Sequence, residues 1–444
     1  MDIKLPQEAE YIINTLNKNG FEAYVVGGCV RDSLLGRVPQ DWDITTNALP
    51  EKIIDIFDHT VPTGLQHGTV TVVLNKDNYE VTTYRIDGEY LDNRRPEKVI
   101  FTSSIEEDLS RRDFTINAMA YNHSKGLVDP FNGKNDLDQK LIRCVGDAGL
   151  RFNEDALRML RAIRFGAQLN FYIDDNSFNS IITNHHLIKN VSMERIRDEL
   201  SKLLMSNKPS EGIRNLYKSK LLTYILPELI SCIGFEQCNP HHDKDVFEHL
   251  MSVLDHTPGS LSLRLAALLH DIAKPQCFTK DEMGIGHFYM HHLKSADIAE
   301  EILKRLRFDN STIKKVSILI KEHMSGYDLK KNGAIKKFIN RVGIDNLEDL
   351  FLLQKADVLS HREPQDLTPI LEIKEAVDTI LKENHPLSVK DLAITGSDLI
   401  ELGYSPGKHL GLTLNELLEM VLVCPELNTK DQLLNIADKD HNKA

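Results

Sequence analysis

The chain has 444 residues, of which 41% are hydrophobic and 27% charged, and its formal net charge is −13. That composition excludes a collagen-like or wholly disordered chain. The acidic balance speaks against an indiscriminate nucleic-acid binder, although a local basic face can still act because charge is screened over about 8 to 10 Å.

At roughly 150 residues per domain the length implies about three domains. No apolar run approaches the ~20 residues of a membrane span. The start carries Glu8 and Glu10 and lacks the basic-then-apolar layout of a secretory signal. Cysteines stand at 29, 144, 232, 238, 277 and 424 without a C-x-x-C pair. Such scattered thiols predict a reduced, cytoplasmic protein and no disulfide frame.

In chain order, residues 21–145 carry β-type runs at 23–26, 69–74 and 79–84, separated by turns and helical stretches. The first run ends at Gly27-Gly28, and residues 29–36 read as a helix with Arg31 on its first turn. Glycines between strand and helix let backbone N–H groups approach phosphate at the positive end of a helix. Asp41-Trp42-Asp43 follows. On a strand, residues two apart share a face, so Asp41 and Asp43 are expected side by side. Paired carboxylates repel unless a divalent cation lies between them, which suits Mg²⁺ with nucleotide phosphates. Residues 85–96, charged and holding Gly88 and Pro96, read as a mobile loop between strands.

From about 150 onward helical periodicity dominates, as at 154–165, 192–204, 246–256, 261–272 and 294–306. This predicts an α+β fold: a mixed-sheet head followed by a long all-α remainder. Breaks are expected near 141–150, 231–245 and 363–390.

Asp155 and Arg158 are three residues apart and expected to be helix neighbours. A carboxylate only accepts hydrogen bonds and a guanidinium only donates. Adenine and cytosine both show an amino donor beside a ring-nitrogen acceptor, and guanine and uracil show the reverse. One Asp–Arg pair can therefore take A and C and refuse G and U. The alternative is a surface ion pair worth only about 0.3 to 0.5 kcal/mol. That alternative leaves Arg158, Arg161 and Arg164 at successive spacings of three unexplained, since clustered arginines call for anionic partners such as phosphates.

The segments Gly27-Gly28-Cys29-Val30-Arg31-Asp32, Asp41-Trp42-Asp43, residues 108–120, Asp129-Pro130-Phe131-Asn132-Gly133, residues 154–165 and residues 194–200 occur in an order that resembles class II tRNA nucleotidyltransferases. That family includes CCA-adding enzymes and bacterial poly(A) polymerases. The resemblance implies a polymerase-β-like head in which Asp41 and Asp43 bind Mg²⁺ and align an RNA 3′-hydroxyl with the α-phosphate. It implies that Gly28 and Arg31 hold the triphosphate and that Arg112, Asp155, Arg158, Arg161 and Arg164 line the nucleotide site. Glu80 is a candidate auxiliary carboxylate. The loop at 85–96 corresponds in that family to the flexible loop of the switch from C to A. The partners implied are tRNA, CTP and ATP, with no membrane and no DNA. A poly(A) polymerase and an enzyme adding only the terminal A stay open as alternatives.

Nine of the 18 histidines fall between 241 and 323. His249, His270-Asp271, His291 or His292, His323 and Asp357 form a series similar to the HD superfamily of metal-dependent phosphohydrolases. That likeness implies a second divalent metal on His249, His270, Asp271 and Asp357, with His291 and His323 accessory. Mixed imidazole and carboxylate donors suit Mn²⁺, Ni²⁺, Fe²⁺ or Mg²⁺. Lys274 is placed to contact a phosphate. A purely structural histidine–carboxylate core is the alternative, and an RNA-binding HD phosphohydrolase is the reading of a different class. The stretch 392–411, with Gly403, Pro406, Gly407 and Gly411, resembles the tail of bacterial CCA-adding enzymes and would contact the tRNA elbow. The expected order is a nucleotidyltransferase head at 1–145, a neck and body at 146–230, an HD domain at 231–365 and a tail at 366–444, the helical parts forming an elongated series.

Overall fold

A computed structural model describes residues 3–88, 99–239, 243–327, 329–383 and 385–441. The chain divides into two compact units, Met1–Pro227 and Glu228–Ala444.

The first unit is organised by the fully buried run Ala23–Val26, strand β1. β-branched and aromatic side chains suit a strand covered on both faces. Around it lie β2 (Ile44–Thr46), β3 (Thr60–Gly64), β4 (Thr69–Leu74) and β5 (Asp77–Thr83). The hairpin β6 (Arg85–Asp87) and β7 (Val99–Phe101) stands apart, and β8 (Ala120–Asn122) and β9 (Gly126–Val128) return to the main sheet. The main sheet has seven strands in the order β3-β4-β5-β2-β1-β8-β9. It is mixed, because β2 pairs parallel to β5 while its other pairs are antiparallel. β4 and β5 are joined through Asn75 and Lys76, both at positive φ (52° and 74°), the two-residue turn whose twist matches a hairpin. Of the loop expected at 85–96, residues 85–87 form strand β6 instead, paired with β7, and the part beyond residue 88 lies outside the described residues.

The helices Ala148–Glu154, Leu157–Leu169 and Met193–Leu204 complete this unit. Leu160, Ile163, Leu200 and Leu203 are buried between the latter two. The second unit is built on Val246–His256, Leu261–Leu269, His291–Arg305, Asn310–Glu322 and Ile344–Val358, with further helices such as Lys408–Val423 beyond. The α+β class expected from sequence is present, but the remainder is not all-α. A parallel pair, Leu141–Ile142 with Tyr172–Ile173, and a hairpin, Phe278–Lys280 with Gly286–Phe288, interrupt it. The hairpin turns through Gly284 (φ 80°), and its three-residue strands are too brief to register as a period. No described helix is long and apolar enough to cross a membrane.

Candidate functional site

At the end of β1 the chain turns through Gly27 with φ 82°, a conformation that a side chain disfavours. A Cβ there would also stand 3.0 Å from Arg112 Nη1. The glycine requirement thus falls on Gly27, and it delivers Gly28 and Arg31, at the start of the helix Gly28–Leu34, to the wall of a cavity of about 620 Å³. That volume is within the range of small-molecule sites.

Asp41 and Asp43 line the same cavity. They precede β2 and do not sit on it, which corrects the expected strand position. Pairing begins at Val25↔Ile44, and β1 ends one residue later at Val26, so the segment before Ile44 has little strand to pair with. It is nonetheless tied down, because the Val26 N–H donates to the Asp43 carbonyl at 3.0 Å. Glu80 on β5 stands one step before the Ile44↔Val81 pair. Burial raises the Asp43 carboxyl above its ordinary range; Arg112 opposes the rise, and the charges of Glu80 and Asp41 add to it. Asp41 and Asp43 on the cavity wall, with the charge of Glu80 acting on Asp43, offer oxygen donors of the type that suits a hard divalent ion such as Mg²⁺.

The opposite wall is a run of charge-assisted bonds. Arg31 grips Asp32 through two contacts of 2.9 Å and donates to Asn117 Oδ1 at 2.7 Å. Asn117 Nδ2 donates to Asp113 Oδ1 at 3.1 Å. Arg161 donates to Asp113 Oδ2 from Nε at 2.8 Å and lies 3.8 Å from Glu199 Oε1. Arg164 Nε meets Glu199 Oε2 at 2.6 Å, with its guanidinium 3.6 Å from the Phe165 ring centroid. Burial would raise Asp113, but the charge of Arg161 and the Asn117 and Arg161 hydrogen bonds bring it down to about 2. The arginines at 161 and 164 therefore have intramolecular carboxylate partners, so their clustering does not by itself require a phosphate. Unspent donors remain: among the described residues the buried Arg112 Nε and Arg195 Nη1 have no hydrogen-bond partner, and both residues line the cavity.

Asp155 and Arg158 line the cavity too, but they are not helix neighbours. Asp155 has extended dihedrals (φ −139°, ψ 103°) between the helices Ala148–Glu154 and Leu157–Leu169. Its Oδ1 accepts from the Leu157 N–H at 3.1 Å, opening the second helix. Its ion pair is with Arg195, at 2.8 Å, while Arg158 pairs with Glu154 at 2.7 Å and donates to the Arg111 carbonyl at 2.8 Å. The expected Asp155–Arg158 pair gives way because capping competes with helix continuation at an aspartate. Arg195, Asp113 and Asn117 also line the cavity, and the sequence signal for them is that each lies in one of the ordered motif segments, 108–120 or 194–200.

In the second unit the elements bring His249, His270, Asp271, Asp357, His291 and His323 together. His249 projects from Val246–His256, and His270 and Asp271 end Leu261–Leu269. His291 opens His291–Arg305, His323 caps Asn310–Glu322 and Asp357 lies in Ile344–Val358. His249 Nε2 is 3.0 Å from Asp357 Oδ1 and 3.4 Å from Asp271 Oδ2, and His270 Nε2 is 3.2 Å from Asp271 Oδ2. Nδ1 of His270, His291 and His323 each meets the carbonyl three residues back, at 3.0, 2.7 and 2.7 Å. A carbonyl only accepts, so each Nδ1 donates, and whenever the ring is neutral its Nε2 lone pair faces inward. Lone pairs facing carboxylates demand a cation. The carboxylates make the centre electronegative: burial disfavours the His270 imidazolium, yet Asp271 lifts it to about 10. These residues fit a divalent metal. Lys274 Nζ lies 2.7 Å from Asp271 Oδ2 and donates to Gln237 Oε1 at 2.8 Å. A cavity of about 290 Å³ opens beside Asp271, Lys274, His291, His323 and Asp357. His361, one turn after Asp357 and 3.3 Å from its Oδ1, also lines it; the i,i+4 spacing was the available signal.

The chain matches the family described as Poly A polymerase head domain over residues 23–143 and that described as Probable RNA and SrmB- binding site of polymerase A over residues 170–233. Residues 278–437 match tRNA nucleotidyltransferase domain 2. The CCA-adding enzyme of Ligilactobacillus salivarius is 35% identical over 432 residues, covering 96% of this chain and 95% of that one. That of Staphylococcus epidermidis is 34% identical over 440 residues, covering 99% of each. The crystal structure of the Bacillus stearothermophilus CCA-adding enzyme in complex with CTP superposes with a TM-score of 0.72 at 28% identity over 99% of both chains.

Proposed function

We propose, since this chain belongs to the CCA-adding enzyme family, that it adds C, C and A to the 3′ end of tRNA from CTP and ATP without a nucleic-acid template. The observation that carries this is the single cavity shared by the Asp41–Asp43 carboxylates and the arginine wall. In each addition the RNA 3′ oxygen forms a bond to the α-phosphorus and the bond to the β-phosphate bridge breaks. Pyrophosphate leaves with the electron pair, and the hydroxyl proton passes to solvent. Phosphoryl transfer of this kind needs positioning and charge neutralisation above all. Asp41 and Asp43, with Glu80 beside them, hold Mg²⁺, which when bound stabilises the charge of the attacking and leaving oxygens. Gly28, Arg31 and the unspent donors of Arg112 and Arg195 bind the triphosphate. Arg161 and Arg164, fixed from behind by Asp113 and Glu199, set the wall. Asp155 accepts from the amino group of cytosine or adenine, and Arg158 trades the Arg111 carbonyl for the base acceptor.

The test is to sequence the products made on tRNA transcripts that end at the discriminator base, with CTP and ATP supplied together and separately. Ordered C-C-A ends are expected. A-only ends or A tails overturn the reading. Asp41→Ala is expected to lower incorporation by roughly two to three orders of magnitude or more.

The inward-facing lone pairs of the second unit favour a second activity beside the first. His249, His270, Asp271 and Asp357 hold a divalent ion of the Mn²⁺, Ni²⁺, Fe²⁺ or Mg²⁺ type, and the adjoining cavity takes a phosphomonoester or cyclic phosphate for hydrolysis. Retention of hydrolysis in Asp41→Ala and its loss in His270→Ala is the outcome this requires. The protein is assigned to the cytoplasm. A finer division at 145, 230 and 365, with the tail from 366 meeting tRNA, is part of the same proposal.

A further inference from the structure

We propose that Arg195 is a positioning residue for base selection: it fixes the carboxylate of Asp155 in the orientation that reads the incoming base. This rests on the reading of Asp155 as the acceptor of the base amino group and adds the residue that aims it.

The backbone alone does not aim Asp155. The residue stands in extended conformation between the helices Ala148–Glu154 and Leu157–Leu169, so its main chain is held on both sides while its side-chain bonds can still turn. Two contacts remove that freedom. Oδ1 accepts from the Leu157 N–H at 3.1 Å, and Oδ2 accepts from Arg195 Nη2 at 2.8 Å. The first bond alone would let the carboxylate plane swing about it; the second, made to the other oxygen, sets the plane. Arg158 takes no part, because its guanidinium meets Glu154 Oε2 at 2.7 Å and the Arg111 carbonyl at 2.8 Å. An ionised carboxylate offers about four lone-pair sites, so about two stay open for a base amino group.

Arg195 is itself held in place. It lies one turn before Glu199 on the helix Met193–Leu204, whose Ile196, Leu200 and Leu203 are buried. Glu199 accepts from Arg164 at 2.6 Å. One helix thus fixes both the arginine wall and the base reader. Arg195 and Asp155 line the same cavity, and Arg195 Nη1 is buried with no hydrogen-bond partner among the described residues. A buried donor left unspent costs on the order of 1–3 kcal/mol, which an ion pair serving stability alone would not incur beside a ligand cavity. The planar guanidinium can keep Asp155 with one nitrogen and give the other to an oxygen of the bound nucleotide. The clamp also makes the reader selective. Uracil and guanine present a carbonyl where cytosine and adenine present the amino group. Turning Asp155 aside to admit that carbonyl would break the Arg195 contact.

The experiment measures kcat/KM on the full chain for single additions, CTP against UTP on tRNA ending at the discriminator base and ATP against GTP on tRNA ending in CC. Arg195→Ala is expected to lower both discrimination ratios about 10-fold, the order expected when a reading group is misplaced. Arg195→Lys keeps the charge without the planar fork, and it should recover rate but not discrimination. In an Asp155→Asn background Arg195→Ala should lower the ratios no further, since one residue acts through the other. Equal loss for all four nucleotides, with the ratios unchanged, overturns the proposal and leaves Arg195 a triphosphate contact. A further fall in the Asp155→Asn background also overturns it, because Arg195 would then read the base by itself. Ratios untouched by Asp155→Asn alone overturn the base-reading role of Asp155, and the proposal with it. Arg195→Lys decides by the same ratios if Arg195→Ala fails to fold.

Discussion

Asp113 shows how much a single carboxylate can hold. Buried and gripped by Arg161 and Asn117, it has its pKa brought to about 2. A carboxyl lowered on folding adds stability that is present above its unfolded value, near 3.9, and is lost as pH falls through its folded value. The loss window is therefore about pH 4 to 2, and its size is roughly 2 kcal/mol. Urea denaturation at stepped pH checks this: Asp113→Asn should flatten the slope of stability in that window, and an unchanged slope would place the titration elsewhere. Asp155 carries the second expectation at this scale. Removing its charge while keeping its shape, Asp155→Asn supplies a donor where only acceptors stood. Discrimination of CTP and ATP against UTP and GTP is expected to fall about 10- to 100-fold, in line with one charge-assisted hydrogen bond. Single-nucleotide incorporation assays read the ratio directly. The approach of Asp41, Asp43 and Arg31 to one cavity was readable from short spacings, and the gathering of His249, His270, Asp271 and Asp357, which are spread along the chain, only from the likeness of their order to a known motif. The partners of Arg161 and Arg164 were not: Asp113 and Glu199 lie 48 and 35 residues away, and only the folded chain brings them near.

The helix Leu157–Leu169 joins these residues into an element. Its arginines line the cavity while Leu160 and Ile163 are buried, and the helix packs on Met193–Leu204. Glu199, on that second helix, fastens the two together by accepting from Arg164. Glu199→Ala strands a buried guanidinium, and breaking a buried pair from one side typically costs about 3 to 5 kcal/mol. Chemical denaturation should show a loss of that order, and Glu199→Gln, which keeps an acceptor, should recover part of it. A loss under about 1 kcal/mol would mean that water already satisfies Arg164. Periodicity located this helix, but it ran the pattern through Asp155, where capping ends one helix and begins the next. Apolar spacing says little about such a break, since the flanking turns keep the same phase.

At the scale of the molecule, the cysteines divide into two groups. Cys29, Cys144 and Cys232 are buried, and burial above all pushes each thiol up to about 12. Thiolate is the reactive form, so these three are inert in the native state. Cys238, Cys277 and Cys424 are partly exposed and free. A thiol reagent counted against the native chain should therefore label no more than three sites, and all six after denaturation. More than three native labels would show that a core opens on the timescale of the reaction. The mixed-sheet class and the helical second half were readable from pattern alone. The hairpin at 278–288 was not, because two three-residue strands leave too short a trace.

The bonded run from Asp32 through Arg31, Asn117, Asp113, Arg161 and Glu199 to Arg164 has one more consequence. Every link is made by the protein to itself, so this side of the socket sets hard during folding and does not wait for a nucleotide to shape it. A pyrimidine and a purine triphosphate thus meet the same frozen surface in turn. If the chain adds all three nucleotides, whatever distinguishes the third addition from the first two must come from groups outside this run, such as Arg158, whose partner is a carbonyl it can release, and the unspent donors of Arg112 and Arg195.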